Sequence, residues 1–275
     1  MKTVLITGCS SGIGAATAGR LAAAGWDVWA TARRPETLAD LAAAGCRTLA
    51  LDVTDEASMA TAVTAVREGA GRIDALVNNA GYSQSGALES LDLDDVRRQF
   101  ETNVFGLLRL TQLVLPAMRA QRSGRIVNIG SMGGKLTFPG GGAYHASKYA
   151  VEALSDALRF EVAGFGIQVV LIEPGLITTG FDAAVAAGMP AGEGPYAAFN
   201  ARVRAATSDA YAGPMARFGG PPEAVAAVIE KALTKHRPRP RYTVTVSAPA
   251  AMAARRVLGD RGWDLAMRSQ FPRPE

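Results

Sequence analysis

Sulfur is scarce in this chain, and long apolar runs are missing. Two cysteines, Cys9 and Cys46, stand among 275 residues. Two thiols cannot build a disulfide framework, and neither has metal-ligand company. Both are expected to pack as small apolar groups in a reducing compartment, with no metal bound. No apolar run reaches the ~18 residues of a membrane-spanning helix. The first strand begins almost at once, so the charged and apolar regions of a signal peptide are not there. A cytoplasmic location with no integral membrane segment is the expectation. Nucleic-acid-binding motifs are lacking too, and no repeat is visible beyond an alternation of strands and helices.

What is present suits a globular fold. Hydrophobic residues make up 48% of the chain and charged ones 20%, enough apolar surface to bury a substantial core. A single domain over residues 1–275 is expected. Charge is uneven along it: residues 231–275 hold ten Lys/Arg and three Asp/Glu, a net of +7 against +4 for the whole chain, which leaves −3 for residues 1–230. The basic extension at 247–275, with Trp263 and Phe271, reads as a solvated terminal helix. A membrane surface, an acidic carrier or a neighbouring subunit are the other partners such charge attracts.

Short β-branched runs alternate with helical stretches. Strands are predicted at 2–7, 26–31, 47–51, 73–77, 125–129, 167–172 and 241–246. Helices are predicted at 12–24, 35–43, 55–69, 92–121, 143–163 and 221–234, with Asp55 the N-cap of the third and Pro221-Pro222 opening the sixth. This alternation calls for an α/β fold of the Rossmann type: a doubly wound parallel sheet with right-handed crossovers and helices on both faces. Ligands in such sheets bind beyond the carboxyl ends of the strands.

The first strand, Lys2 to Thr7, runs into Gly8-Cys9-Ser10-Ser11-Gly12-Ile13-Gly14 and then an Ala-rich helix. Strand, glycine turn and helix in that order form a phosphate-binding turn. Gly8 takes the tight turn, Gly12 lets backbone approach a pyrophosphate, and Gly14 lets the helix pack closely on the sheet. Ser10 and Ser11 add hydroxyls to the phosphate shell. Farther along, Tyr144 and Lys148 sit four residues apart on a predicted helix and share one face. An ammonium beside a phenol favours phenolate, which makes the phenol a better proton donor near neutral pH. Ser131 lies thirteen residues upstream.

Together these residues resemble the short-chain dehydrogenase/reductase family. The matching motifs are Thr7 to Gly14, Asp52-Val53, Asn78-Asn79-Ala80-Gly81, Asn103, Ser131, Tyr144 with Lys148, and Pro174-Gly175-Leu176-Ile177-Thr178-Thr179, in family order over roughly residues 1–235. The resemblance implies a strand order of 3-2-1-4-5-6-7 and a catalytic set of Asn103, Ser131, Tyr144 and Lys148. It also implies that Asp52 and Val53 lie against adenine, and that Asn79, Ala80 and Gly81 pass beside the adenosine ribose. Pro174, Gly175, Ile177 and Thr179 would hold the nicotinamide end, with Lys148 on its ribose and lowering the pKa of Tyr144. Asn103 would position a water linking Lys148 to solvent.

In NAD-preferring members of the family a carboxylate follows the second strand; here Ala32 stands in that place, followed by Arg33 and Arg34. A guanidinium suits a 2′-phosphate, so NADP(H) is expected rather than NAD(H), with Arg33 ahead of Arg34 as its partner. Residues 180–220 are expected to form a substrate lid carrying Phe181, Met189, Tyr196, Phe199, Tyr211, Met215 and Phe218. Gln84, Ser85, Gly133, Gly134 and Phe138 border the same pocket. The segments Ala30 to Glu36 and Arg239 to Tyr242 are similar to the hydroxysteroid- and retinol-dehydrogenase-like group. A small hydrophobic ketone, aldehyde or secondary alcohol is the implied substrate class. A carrier-bound or polyketide intermediate, or a non-catalytic NADP-binding regulator, remain the other readings. His145 is set aside because adjacent helix residues point about 100° apart. A homodimer or homotetramer is implied, pairing the helices at 92–121 and 143–163, whose Leu107, Leu110, Leu113, Val151, Leu154 and Leu158 are apolar enough for both core and interface use.

Overall fold

The computed structural model of the chain describes residues 1–179, 189 and 194–271. Seven parallel strands make one sheet: β1 (Thr3–Ile6), β2 (Asp27–Ala32), β3 (Arg47–Ala50), β4 (Ala75–Asn78), β5 (Gly124–Ile129), β6 (Ile167–Pro174) and β7 (Arg241–Val244). Their order is β3-β2-β1-β4-β5-β6-β7, as the resemblance implied. The helices are α1 (Gly12–Ala23), α2 (Ala39–Ala43), α3 (Glu56–Ala70), α4 (Leu93–Phe100), α5 (Leu107–Ala120), α6 (Gly142–Glu161), α7 (Ala197–Ala212), α8 (Pro222–Thr234) and α9 (Ser247–Arg268).

Successive strand residues face opposite sides of the sheet, and the sequence uses both. Val4 and Ile6 join Val28, Val77 and Val127 in one core, covered by Ala18 and Leu21 of α1 and by Val225 and Ile229 of α8. Leu5 joins Trp29, Leu76 and Ile126 in the other, covered by Val63 and Val66 of α3 and by Leu110 and Val114 of α5. Register keeps the carboxyl ends together: Ile6 lies level with Ala30 and Val77, and Ile129 level with Ile172. The loops that carry the motifs therefore leave the sheet on one edge. Cys9 and Cys46 are buried free thiols, as expected, and burial pushes the Cys9 thiol up to about 12.

Asp55 caps α3, its carboxylate accepting from Ala57 N at 2.9 Å and Ser58 N at 3.3 Å. Three expectations need correction. The helix read over 92–121 is interrupted by a π-helical segment, Glu101–Gly106, between α4 and α5. The wider turn sets Gly106 against Val53, where a Cβ would stand 2.3 Å from the carbonyl oxygen, and Asn103 within it is 2% exposed. The helix read over 35–43 opens as a 3-10 turn, Pro35–Leu38, before α2. The expected lid contains a full helix, α7, although Gly180 and Phe181 lie outside the described residues. Of the six leucine and valine side chains read as serving core and interface alike, Leu107, Leu110 and Val151 are core residues, at most 8% exposed. Among the described residues, no helix is long and apolar enough to cross a membrane.

Candidate active site

The glycine turn forms because two of its residues adopt positive φ, +70° at Gly8 and +56° at Gly12, which side chains resist. Gly14 brings α1 onto the turn: a Cβ there would lie 2.2 Å from the Gly8 carbonyl oxygen. Asn79 locks the pair of strands behind it, its side-chain amide donating to Thr7 O at 2.9 Å and Gly8 O at 3.0 Å. Thr7 Oγ1 in turn accepts from the backbone N–H groups of Asn79 and Ala80, both at 3.0 Å. Ser11 occupies the N-cap position of α1 without a side-chain cap bond, so its hydroxyl is not committed to the helix.

A cavity of about 1690 Å³ opens at this edge of the sheet. Gly8, Ser10, Ser11, Gly12 and Ile13 border it at one end, with Arg33 and with Asp52 and Val53. The Asp52 carboxylate accepts from Thr54 N at 2.9 Å and Thr54 Oγ1 at 2.8 Å, so it organises its own turn. Asn79, Ala80 and Gly81 follow along the floor, and Pro174, Gly175, Ile177 and Thr179 form the opposite wall. Thr179 stands close over the glycine turn, since a Cβ on Gly12 would meet its Cβ at 3.1 Å. Three residues predicted for catalysis or cofactor binding do not border the cavity, Gly14, Arg34 and Asn103, and neither do Gln84 and Gly134 of the expected pocket.

Ser131 ends β5 in extended backbone, and its hydroxyl accepts from Gly133 N at 3.0 Å. It also hydrogen-bonds Tyr144, which α6 presents from the far side. Lys148, one turn along and 6% exposed, donates from Nζ to the Ile129 carbonyl at 2.8 Å and lies 5.8 Å from the Tyr144 ring centroid. Burial pushes the Lys148 ammonium down to about 8. The Tyr144 phenol differs from expectation: burial pushes it up, opposed by the Ser131 bond. Loss of hydration disfavours the charged phenolate, and this is the larger of the two effects. Asn103 is fully engaged, with Nδ2 donating to Tyr82 O at 2.8 Å and Ser147 Oγ at 3.0 Å while Oδ1 accepts from Tyr82 N at 3.0 Å. It reaches Lys148 across Gly81, whose added Cβ would be 3.0 Å from Asn103 Oδ1 and 3.8 Å from Lys148 Nζ.

Two parts of the wall escaped the sequence reading. His145 borders the cavity after all. Its ring does diverge from Tyr144 along the helix, but the segment after Ser131 folds over α6 and encloses both. His145 Nδ1 meets the Gly133 carbonyl at 3.1 Å, and burial pushes the imidazole down to about 4. It stays neutral at ordinary pH, with Nδ1 as the donor to Gly133. The second part is α9, read as a solvated extension: Ala250, Ala251 and Ala254 line the cavity, with Val246 just ahead of the helix. Their alanine run between Ser247 and Ala254 was the available signal. Of the expected pocket and lid residues, Ser85, Gly133, Phe138, Tyr211, Met215 and Phe218 border the cavity, whereas Met189 does not but packs with Val203, which does.

Behind the site lies a buried charge cluster. Glu152 follows Lys148 by one turn of α6, and Glu173 precedes Pro174 on β6; they are 5% and 3% exposed. Lys135 Nζ reaches Glu152 at 2.6 Å, while Arg241 Nε lies 3.3 Å from Glu152 and 3.5 Å from Glu173. Burial, then the negative charge of Glu152, raises the Glu173 carboxyl from 4.5 to about 7. The folded chain thus holds a proton that the unfolded chain releases above about 4.5. This contribution to stability is whole below that value, is lost as pH rises through about 7, and is level beyond. Glu173→Gln should flatten this slope in denaturant unfolding followed across the same window; an unchanged slope would place the titration elsewhere.

Comparison with known proteins agrees with this geometry. The family described as short chain dehydrogenase matches residues 2–189. The chain is 44% identical over 181 residues to a 3-ketodihydrosphingosine reductase of Bacteroides thetaiotaomicron, an alignment spanning 66% of this chain and 65% of that protein, just under two thirds of its length. It is 33% identical over 274 residues to an NADPH-dependent 3-dehydrocapnine reductase of Ornithobacterium rhinotracheale, spanning 96% of this chain and 95% of that one. Among solved structures, a short-chain dehydrogenase from Streptomyces avermitilis is 37% identical and superposes with a TM-score of 0.80, covering 98% of this chain and 97% of that chain. With a match over more than half its length, and with the sheet order and site described above, the chain belongs to the short-chain dehydrogenase/reductase family of oxidoreductases.

Proposed function

We propose that the chain interconverts a carbonyl and a secondary or primary alcohol with NADP(H), acting on a small hydrophobic ketone or aldehyde. The observation that carries this reading is the Ser131, Tyr144 and Lys148 arrangement in the wall of a cavity that also reaches the glycine turn and Arg33. The residues fit a dinucleotide. Gly8 and Gly12 keep side chains out of the path between the α1 N-terminus and a pyrophosphate. Ala32 offers no carboxylate to a ribose, and the Arg33 guanidinium suits a 2′-phosphate. When bound, the dinucleotide supplies the hydride.

The chain's own residues do the rest. Asp52 and Val53 hold the adenine, and Asn79, Ala80 and Gly81 run beside its ribose. Pro174, Gly175, Ile177 and Thr179 hold the nicotinamide end. Ser131 donates to the substrate oxygen and fixes it beside Tyr144, which gives its proton to that oxygen as alkoxide charge develops. Lys148 contacts the nicotinamide ribose and, with a pKa of about 8, passes a proton toward the phenol near neutral pH. Asn103 holds the Gly81–Tyr82 backbone beside Lys148 and positions the water that links Lys148 to solvent. A cytoplasmic location and a homodimer or homotetramer belong to the same reading. The free cysteines support the first, and the exposed Phe105, Tyr149 and Phe160, at 51%, 43% and 79%, support the second.

The test is loss of reduced nicotinamide absorbance with a panel of ketones, aldehydes and acyl thioesters. Turnover of hydrophobic ketones or aldehydes with NADPH is the expected result, and tight NADPH binding without turnover of any compound would sink the enzymatic reading. Arg33→Ala should raise the KM for NADPH about 10- to 100-fold, the range of a lost charge-assisted bond, while leaving that for NADH unchanged. A parent protein that prefers NADH would overturn the cofactor assignment.

A further inference from the structure

Phe138 stands between two hollows of the molecule. The cavity that contains Ser131 and Tyr144 shares the segment Phe138-Pro139-Gly140 with a second hollow of about 720 Å³. Four rings run in file from the reacting phenol to that second space. Tyr144 and His145 are 5.6 Å apart between centroids, His145 and Phe138 are 6.0 Å, and Phe138 and Trp263 are 5.6 Å. His145 belongs to the first hollow and Trp263 to the second, so Phe138 touches one residue of each. Beyond it, Leu88, Tyr149, Phe199 and Met267 supply apolar lining, and Glu89, Arg255 and Asp264 border the same hollow.

The backbone around this partition is pinned. Trp263 Nε1 donates to the Thr137 carbonyl at 3.0 Å, and Gly86 N donates to the Gly140 carbonyl at 2.7 Å. Trp263 is 9% exposed although most of the second half of α9 is exposed. Gly259, at φ +60°, bends α9 ahead of it and permits the ring to turn inward. On the substrate side, His145 presents a neutral surface, since burial disfavours its charged form. The four rings themselves carry no charge, and their faces and edges suit a methylene chain.

We propose that Phe138, backed by Trp263, ends the slot for a straight apolar chain whose carbonyl lies at Ser131 and Tyr144, and so sets the chain length the protein accepts. The inference rests on the carbonyl-reduction reading above and names its substrate class: an unbranched aliphatic chain with a carbonyl or hydroxyl near one end. Removing the ring joins the two hollows and lengthens the slot.

A homologous series of straight-chain methyl ketones with NADPH tests it. In the parent, kcat/KM should climb by up to about fourfold per methylene, then stop climbing at the length that meets Phe138. Phe138→Ala should carry the climb past that point, with a gain of at least about tenfold on the longest homologues, and Phe138→Trp should stop it earlier. The same break point in all three proteins would overturn the proposal. A second measurement needs no turnover. With NADP+ bound, ω-bromoalkanols of increasing length should quench Trp263 fluorescence in Phe138→Ala at lengths that leave the parent unquenched, and the added Trp263→Phe change should abolish that quenching. Equal quenching of parent and Phe138→Ala at every length would also overturn it. Ring-dependent quenching without turnover of any ketone would instead sink the catalytic reading and leave the partition standing.

Discussion

Tyr144→Phe is expected to lose at least about 10³-fold in kcat/KM while binding NADPH as the parent does. That loss is about 4 kcal/mol of transition-state stabilisation. His145 and Lys148 are the other titratable groups beside the phenol in this wall. His145 carries its Nδ1 against the Gly133 carbonyl and, with its pKa near 4, has no proton to give at neutral pH. Lys148 holds a proton, but its ammonium lies one turn along α6, bonded to Ile129 O, and no bond joins it to Ser131 as one joins the phenol. The phenol alone is hydrogen-bonded to Ser131, and burial keeps it protonated until a developing alkoxide draws the proton away. Phenylalanine preserves the ring beside His145 and removes only the hydroxyl. Stopped-time turnover and a fluorescence titration of NADPH separate the two effects. A variant that keeps its kcat and loses only KM would show that Tyr144 binds substrate without donating to it.

The sheet and the ends of its strands were readable because the signals are local. Val4, Leu5 and Ile6 are all apolar since both faces of β1 are covered, and that run can hardly be anything but a buried strand. Gly8, Gly12 and Ser131 sit where strands end, so their shared edge follows from topology alone. The departures were all set by contacts distant in sequence. The π segment sets Gly106 against the Val53 carbonyl. Leu107, Leu110 and Val151 are core residues because of what the sheet places opposite them. His145 was dismissed on helix geometry, which is correct within α6, but the cavity wall is completed by a loop from another element. Likewise, α9 reads as a basic surface helix from its arginines, whereas its alanines and Trp263 decide where it docks. The phenol shows the same limit for chemistry. Spacing places Lys148 near Tyr144, but only the fold shows that Ile129 receives the ammonium's hydrogen bond.

Gly14→Ala should weaken NADPH binding by at least about 100-fold and lower stability by about 2–4 kcal/mol, the sum expected from an overpacked contact and a lost buried hydrogen bond. The added methyl would stand 2.2 Å from the Gly8 carbonyl oxygen, 2.6 Å from Asn79 Nδ2 and 2.8 Å from the Gly8 carbonyl carbon. Two of these neighbours are backbone, and the third is an amide already donating to Thr7 O and Gly8 O. None can yield as the end of a flexible side chain would. Either α1 lifts from the turn, withdrawing its N-terminal N–H groups from the phosphates, or Gly8 shifts and the Asn79 clamp opens. Both routes spoil the cradle, which is why binding falls along with stability. Gly164→Ala is the control: a Cβ at Gly164 meets nothing within 4 Å, and its effect should stay within about 0.5 kcal/mol. Denaturant unfolding and NADPH titration of the two variants side by side decide the matter. If Gly14→Ala binds NADPH like the parent, the close packing of α1 on the turn is not what shapes the dinucleotide site.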